Sequence, residues 1–249
     1  MATRLGQLSI SLILLLSFST LGACDQVLRS IQVRTMDEQE RFTNQILKIS
    51  GCKSEKLKNT GNITLERRMA MLSKGRIDLI TWVNRRAERE LYAHFSIPIL
   101  EERVRLWARN KEDAAKYKNI DLLTLVKSGV KIVAPNDGWY GPDYKLLQET
   151  AENQLVYYKD SRQGLELLYK GRGELMLGSE HFHQNFQPEY RDKTVMLPQI
   201  VHRDTLHLMY SKKTISLKTV ALIDKAIKEQ LAIEKLASST SPKSDNDKN

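Results

Sequence analysis

The order of apolar and polar side chains divides the chain into alternating strands and helices. Val27-Leu28-Arg29-Ser30-Ile31-Gln32-Val33 alternates loosely and predicts a first strand ending at Arg34-Thr35. A helix follows, capped by Asp37, with Phe42, Ile46, Leu47 and Ile49 at helical spacing and Gly51 as its stop. Thr64 caps a second helix in which Leu65, Met69 and Leu72 share a face, and Lys74-Gly75 ends it. The run from Ile77 to Trp82 then predicts a buried strand.

The same unit returns further on. Ser161 caps a helix with Leu165 and Leu168 facing inward, Lys170-Gly171-Arg172 closes it, and Glu174-Leu175-Met176-Leu177 starts a strand. Met71 to Ile80 aligns in register with Leu167 to Met176, the sign of a repeated unit. Two α/β lobes follow, each alternating strands and helices around a parallel sheet. Beyond Val104 to Arg109 the pattern predicts a short helix at Leu122 to Val126, a strand from Val130 to Ala134, and a helix from Pro142 to Thr150. Leu206 to Tyr210 is the last strand. Leu217, Val220, Ile223, Ile227 and Leu231 mark a long amphipathic helix. Residues 238–249 lack the apolar side chains that would hold them and read as a frayed tail.

The N-terminus has a separate logic. Arg4, an apolar run from Leu8 to Phe18 and the small residues Ser19, Thr20, Gly22 and Ala23 have the anatomy of a secretory signal peptide over residues 1–23. The run is too short for a membrane span, which needs about 18 residues. The chain of 249 residues carries 39 Lys and Arg against 30 Asp and Glu. Removing the leader takes away Arg4 and leaves 38 against 30, a net +8. With 41% hydrophobic residues, 12 Gly and 2 Cys, the composition excludes disordered, collagenous and disulfide-scaffold classes. Basic residues are interleaved with acidic ones, so the positive charge reads as a solvated surface and not as a nucleic-acid footprint. Cys24 has two readings. Leu21-Gly22-Ala23-Cys24 resembles a lipobox, which would tether the protein to a membrane; alternatively Cys24 pairs with Cys52 in an oxidising compartment.

Taken together, the residues resemble the bacterial extracellular solute-binding proteins of family 3, the polar-amino-acid type. The resemblance runs from about Val27 to Leu236. It rests on Gly75-Arg76-Ile77-Asp78, then Ala87-Glu88-Arg89, then Phe95-Ser96-Ile97-Pro98; on Gly138-Trp139-Tyr140-Gly141 ahead of a helix with Tyr144; and on Leu206 to Ser211. It implies an α/β, two-lobed periplasmic-binding-protein fold of type II, with lobe 1 from residues 24–98 plus 211–237 and lobe 2 from 104–205. Two chain crossings form the hinge, and the ligand sits between the lobes. It also implies a non-enzymatic periplasmic protein without cofactor or metal. Such a protein works as a monomer and hands a small polar solute, an amino acid or small carboxylate, to an inner-membrane ABC-type transporter.

Carried over residue by residue, Arg89 holds a ligand carboxylate, for which a planar fork of donors is suited. Asn84 falls where family members place a Ser or Thr that hydrogen-bonds the ligand, and Trp82 where a backbone carbonyl faces the ligand, the alternative for Trp82 being packing in the sheet. Gly138, Trp139 and Tyr140 form the lobe 2 ligand loop, where a helix N-terminus favours an anion and the rings make an aromatic wall. Ser179 stands where family members place the acid for an α-ammonium, with Glu180 beside it as a substitute. Departures are visible as well. Thr35-Met36-Asp37 runs almost straight into the helix, so one wall of the usual cleft is missing or rebuilt. That leaves open a sensor or envelope accessory protein with a degenerate cleft. Some relatives of the fold are dehydratases, for which Glu180 and His183 are the available acid and base. His181 and His183 lack a third metal ligand.

Overall fold

The computed structural model describes residues 24, 26–31, 37–57 and 63–240. The signal peptide expected at 1–23, residues 25, 32–36 and 58–62, and most of the tail expected at 238–249 (from 241 on) lie outside the described residues. Lobe 1 begins with β1 (Val27–Ile31), α1 (Asp37–Ser50), β2 (Lys53–Leu57), α2 (Leu65–Ser73) and β3 (Leu79–Asn84), followed by the single turn α3 (Ala87–Glu90) and β4 (Ala93–Phe95). The chain crosses on β5 (Leu100–Ala108). Lobe 2 comprises α4 (Lys111–Tyr117), α5 (Leu122–Lys127), β6 (Ile132–Pro135), α6 (Pro142–Thr150), β7 (Leu155–Tyr158), α7 (Ser161–Tyr169), β8 (Leu175–Ser179) and α8 (Pro188–Arg191). It returns on β9 (Val195–Ser211), and α9 (Leu217–Thr240) closes the chain. The helix runs through to Thr240, so residues 238–240, expected in a frayed tail, are helical.

The sheets are mixed, which corrects the expectation of parallel sheets. The order is β3-β9-β5-β8-β6-β7, with β4 on β9, and β1-β2 form a separate parallel pair. The two crossing strands β5 and β9 pair antiparallel from Leu100↔Leu206 to Ala108↔Val195, with register shifts on the way. They join the lobes as one ribbon, the two-crossing hinge of a type II fold. β9 is 17 residues long, far beyond the Leu206 to Tyr210 stretch expected as a strand, because its first part pairs with β5 and seats Leu197 in the lobe 2 core. The core divides in the same way. Leu28, Ile46, Leu79, Leu208, Tyr210 and Ile223 belong to one cluster; Leu106, Leu125, Ile132, Tyr144 and Leu177 to another.

The repeat is structural. Gly75 (φ 71°) donates to the Leu72 carbonyl and Arg76 to that of Met71; Gly171 (φ 67°) donates to Leu168 and Arg172 to Leu167. Both helices thus end in the same left-handed cap, a conformation glycine adopts without a Cβ penalty. The acid that follows is used alike. Asp78 donates its N–H to Arg29 O and accepts the Arg29 N–H at 2.8 Å; Glu174 donates to Lys131 O and accepts the Lys131 N–H at 2.7 Å. In lobe 1 the Arg29 side chain adds Nε and Nη2 bonds to both oxygens of Asp78, each 2.8 Å. The α7 cap is Asp160, accepting from Gln163 N, and not Ser161, which is the first helical residue. Thr64 caps α2 as expected.

Cys24 and Cys52 form a disulfide across the start of lobe 1. A sulfur in that bond cannot also carry a thioether lipid, so the pairing displaces the lipobox reading of Cys24.

Candidate functional site

The two lobes face each other across the β5–β9 ribbon, and the residues converging there come from all three parts. β3 ends at Asn84, which is buried and donates Nδ2–H to Glu102 Oε2 at 3.1 Å. The Asn84 carbonyl accepts from Arg89 Nη1 at 2.9 Å. Arg89, on the short turn α3, is half-buried, and among the described residues it has no carboxylate within ion-pair distance. Burial lowers its pKa from the ordinary value, while Tyr92, Glu88 and Asp204 act the other way. A desolvated guanidinium with free donors is suited to grip an oxyanion.

On the ribbon, Glu102 lies directly opposite Asp204. Like charges facing each other across an antiparallel pair repel, and Glu102 is buried to 9% exposure. Its carboxyl is accordingly pushed above the usual range, chiefly by burial and further by Asp204; hydrogen bonds from Asn84 and Ser179 and the charge of His181 partly offset this. Glu102 thereby ties a lobe 1 residue, Asn84, to a lobe 2 residue, Ser179.

The aromatic loop of lobe 2 closes the opposite side. Trp139 Nε1 donates to His202 Nε2 at 3.2 Å, and the Arg86 guanidinium from lobe 1 lies 3.6 Å above the Trp139 ring. Gly141 (φ 104°) opens α6, and a Cβ there would come within 2.7 Å of the His202 ring. Tyr140 packs edge-on against Tyr144, and burial, with the charges of Glu102 and Asp137, pushes its phenol up. Beside Gly138, Asp137 accepts the Leu65 N–H of lobe 1 at 3.2 Å. The free amides of this loop therefore share their surroundings with an acid already engaged across the gap.

Asn84 is thus linked to Arg89 through its carbonyl and to Ser179 through Glu102, while Trp139 meets lobe 1 through Arg86. Glu180 and the ring of Trp82 are held elsewhere. Glu180 is engaged by Arg105 Nε at 3.3 Å and Arg103 Nη1 at 3.5 Å, so it is not a free partner for an ammonium. Trp82 turns into lobe 1, edge-on to Phe42 and against the apolar cluster. It sits at the β3 irregularity with φ 58°, and its Nε1 is buried without a partner. His181 Nε2 contacts the Glu101 carbonyl and His183 Nε2 that of Arg191, while the His183 ring stacks on Trp107. The two imidazoles are held by different parts of the chain, and no metal-ligating cluster occurs among the described residues. Sequence reasoning missed Glu102, Asp204, His202 and Arg86. The signal available was a crossing strand with acids at Glu101 and Glu102, which an apolar pattern leaves unread.

No protein-family model matches the sequence and no curated protein matches it. Solved structures do. The arginine-bound form of a truncated ArgBP from T. maritima superposes with TM-score 0.63 at 15% identity, over 82% of this chain and 95% of that one. An amino-acid ABC transporter substrate-binding protein from Streptococcus pneumoniae, bound to L-arginine, gives 0.61 at 19%, over 80% and 79%. An ancestral amino-acid-binding protein, a precursor of cyclohexadienyl dehydratase, gives 0.64 at 15%, over 86% and 93%. A histidine kinase sensor domain with similarity to periplasmic binding proteins gives 0.61 at 14%, over 80% and 82%. At these identities the likeness establishes the fold: a periplasmic-binding-protein-like domain of type II.

Proposed function

We propose that the protein is an exported, non-enzymatic solute-binding protein. Residues 24–98 with 211–237, and residues 104–205, would be the two bodies that close over a small polar solute bearing a carboxylate, for delivery to an ABC-type transporter. The observation that carries this reading is Arg89, half-buried beside the hinge with one donor on the Asn84 carbonyl and, among the described residues, no acid within ion-pair distance. Glu102 and Asp204 support an α-ammonium partner, taking the place of the acid missing after β8 and of the engaged Glu180. Trp139 and Tyr140 would wall the ligand from lobe 2, with Asn84 and Ser179 as polar contacts. The structural neighbours named for amino-acid binding are in keeping with this reading.

Thermal-shift screening against amino acids and organic acids tests it. A ligand at a hundredfold its Kd adds about 2.7 kcal/mol to stability, and Arg89→Ala is expected to remove that shift. A shift that persists in Arg89→Ala overturns the carboxylate clamp. A second reading, a sensor that closes without solute, is favoured by the direct lobe-to-lobe contacts Arg86–Trp139 and Leu65–Asp137. It is supported instead if the library yields no hit.

A further inference from the structure

The internal repeat exposes a difference between the lobes. In lobe 2, the strand after the repeated helix stays hydrogen-bonded to its neighbour, with Ile132↔Leu175 and Val133↔Met176 in register. In lobe 1, the corresponding strands β1 and β3 meet at the Arg29–Asp78 clamp but belong to different sheets. Between them lies a cavity of about 240 Å³, lined by Ser30 and Ile31 of β1 and by Leu79, Ile80 and Thr81 of β3, among others.

The repeat also points to what keeps the cavity open. Aligned on the matched helices, Gly164 of α7 corresponds to Arg68 of α2. At Gly164 the helix lies so close to its sheet that a Cβ would sit 2.9 Å from Met176 Sδ and 3.0 Å from the Tyr158 ring. At the matching place lobe 1 carries a long guanidinium side chain, which lines the cavity. Arg68 is half-buried, and among the described residues its side chain makes no hydrogen bond or ion pair; Asp137 of lobe 2 is the acid whose charge reaches it. Trp82, on the same cavity, has a left-handed backbone and an indole N–H without an acceptor. A half-buried guanidinium whose Nε–H is shut off from water without an acceptor and a strained aromatic residue both act against stability, so their meeting at one cavity points to a ligand. The charges of Lys56 and Glu40, which also line the cavity, compensate each other as an ion pair.

We propose that this lobe 1 cavity is a second binding site, separate from the interlobe cleft, for a small monocarboxylate with a compact apolar body. Arg68 holds the carboxylate; Leu47, Ile77, Leu79 and Ile80 enclose the body. Size fits the class, since a cavity of roughly 150 Å³ holds benzene. The site does not depend on the cleft reading, because Arg89 does not line it.

Calorimetric titration and saturation-transfer NMR with sodium benzoate and sodium isovalerate test the proposal, with benzyl alcohol as the uncharged control. Saturable binding of at least one carboxylate is expected, at least about tenfold tighter than benzyl alcohol. Arg68→Met should weaken it at least about tenfold, and Arg89→Ala should leave it within about twofold. Absence of saturable binding, equal affinity in Arg68→Met, or an equal loss in Arg89→Ala overturns the proposal, the last by moving the ligand to the cleft. Melting of the unliganded protein gives an independent reading: Arg68→Met relieves an unpaired buried charge and is expected to melt a few degrees higher. A melting point several degrees lower means that Arg68 is a structural residue and sinks the proposal. If the cleft reading fails alone, the library finds no Arg89-dependent ligand while benzoate or isovalerate binding persists.

Discussion

At the scale of single residues, two buried acids respond to pH in opposite directions. Burial raises the pKa of Asp78, but the hydrogen bonds and charge of Arg29, with Thr214, outweigh it and hold the carboxyl below its ordinary value. Its contribution to stability is present above the unfolded pKa and lost as the solution is acidified through the folded one. Glu102 is raised instead, by burial first and by Asp204. The folded protein then holds that proton more tightly than the unfolded chain, so this contribution is greatest below the ordinary glutamate range and declines as pH rises through the folded pKa. Glu102→Gln keeps a donor and acceptor at Asn84 and removes the charge facing Asp204. It is expected to gain up to about 1 kcal/mol at pH 8, the scale of a like-charge cross-strand pair, with no gain at pH 4. Urea unfolding at both pH values checks this; an equal effect at both would mean that the Glu102 charge is not what matters. Arg89 shows how far a residue motif can be read from sequence: the position was legible, while its single bond to the Asn84 carbonyl was not.

At the scale of elements, the local rules read well. The caps at Thr64 and Gly141-Pro142, and the stops at Gly75 and Gly171, fall where side-chain chemistry places them. The sheets read less well, because pairing direction is set by partners distant in sequence. Nothing in the polar run of His202 to Thr205 marks it as part of a 17-residue strand. Helix-to-sheet distance is likewise hidden in the sequence and testable. Gly164→Ala forces a Cβ against Met176 and Tyr158, and overpacking of this kind costs about 1–3 kcal/mol. Thermal melting should show the loss. A neutral result would mean that α7 can move away from its sheet freely.

For the whole molecule, the ribbon of β5 and β9 leaves the lobes joined along one side and held elsewhere by few contacts. The Arg86–Trp139 stack is a main one. A cation–π pair contributes about 0.5–2 kcal/mol, so Trp139→Ala should shift the balance of open and closed forms roughly 2- to 30-fold toward open. Small-angle scattering would register this as a larger radius of gyration without ligand. An unchanged radius would assign closure to the Asn84–Glu102 and Leu65–Asp137 bonds alone.

The sequence by itself determined the alternation of strands and helices and the repeated cap and acid that begin β3 and β8, because these depend on neighbours within a few turns; Arg89 became a candidate through the family resemblance. It left two outcomes open for Cys24 and placed Glu180 and Trp82 at the ligand. Only the tertiary structure paired Cys24 with Cys52, engaged Glu180 with Arg103 and Arg105, turned Trp82 into lobe 1 and set Glu102 opposite Asp204. Those facts depend on groups brought together from distant parts of the chain, where partner and burial, not residue type, decide what a side chain can do.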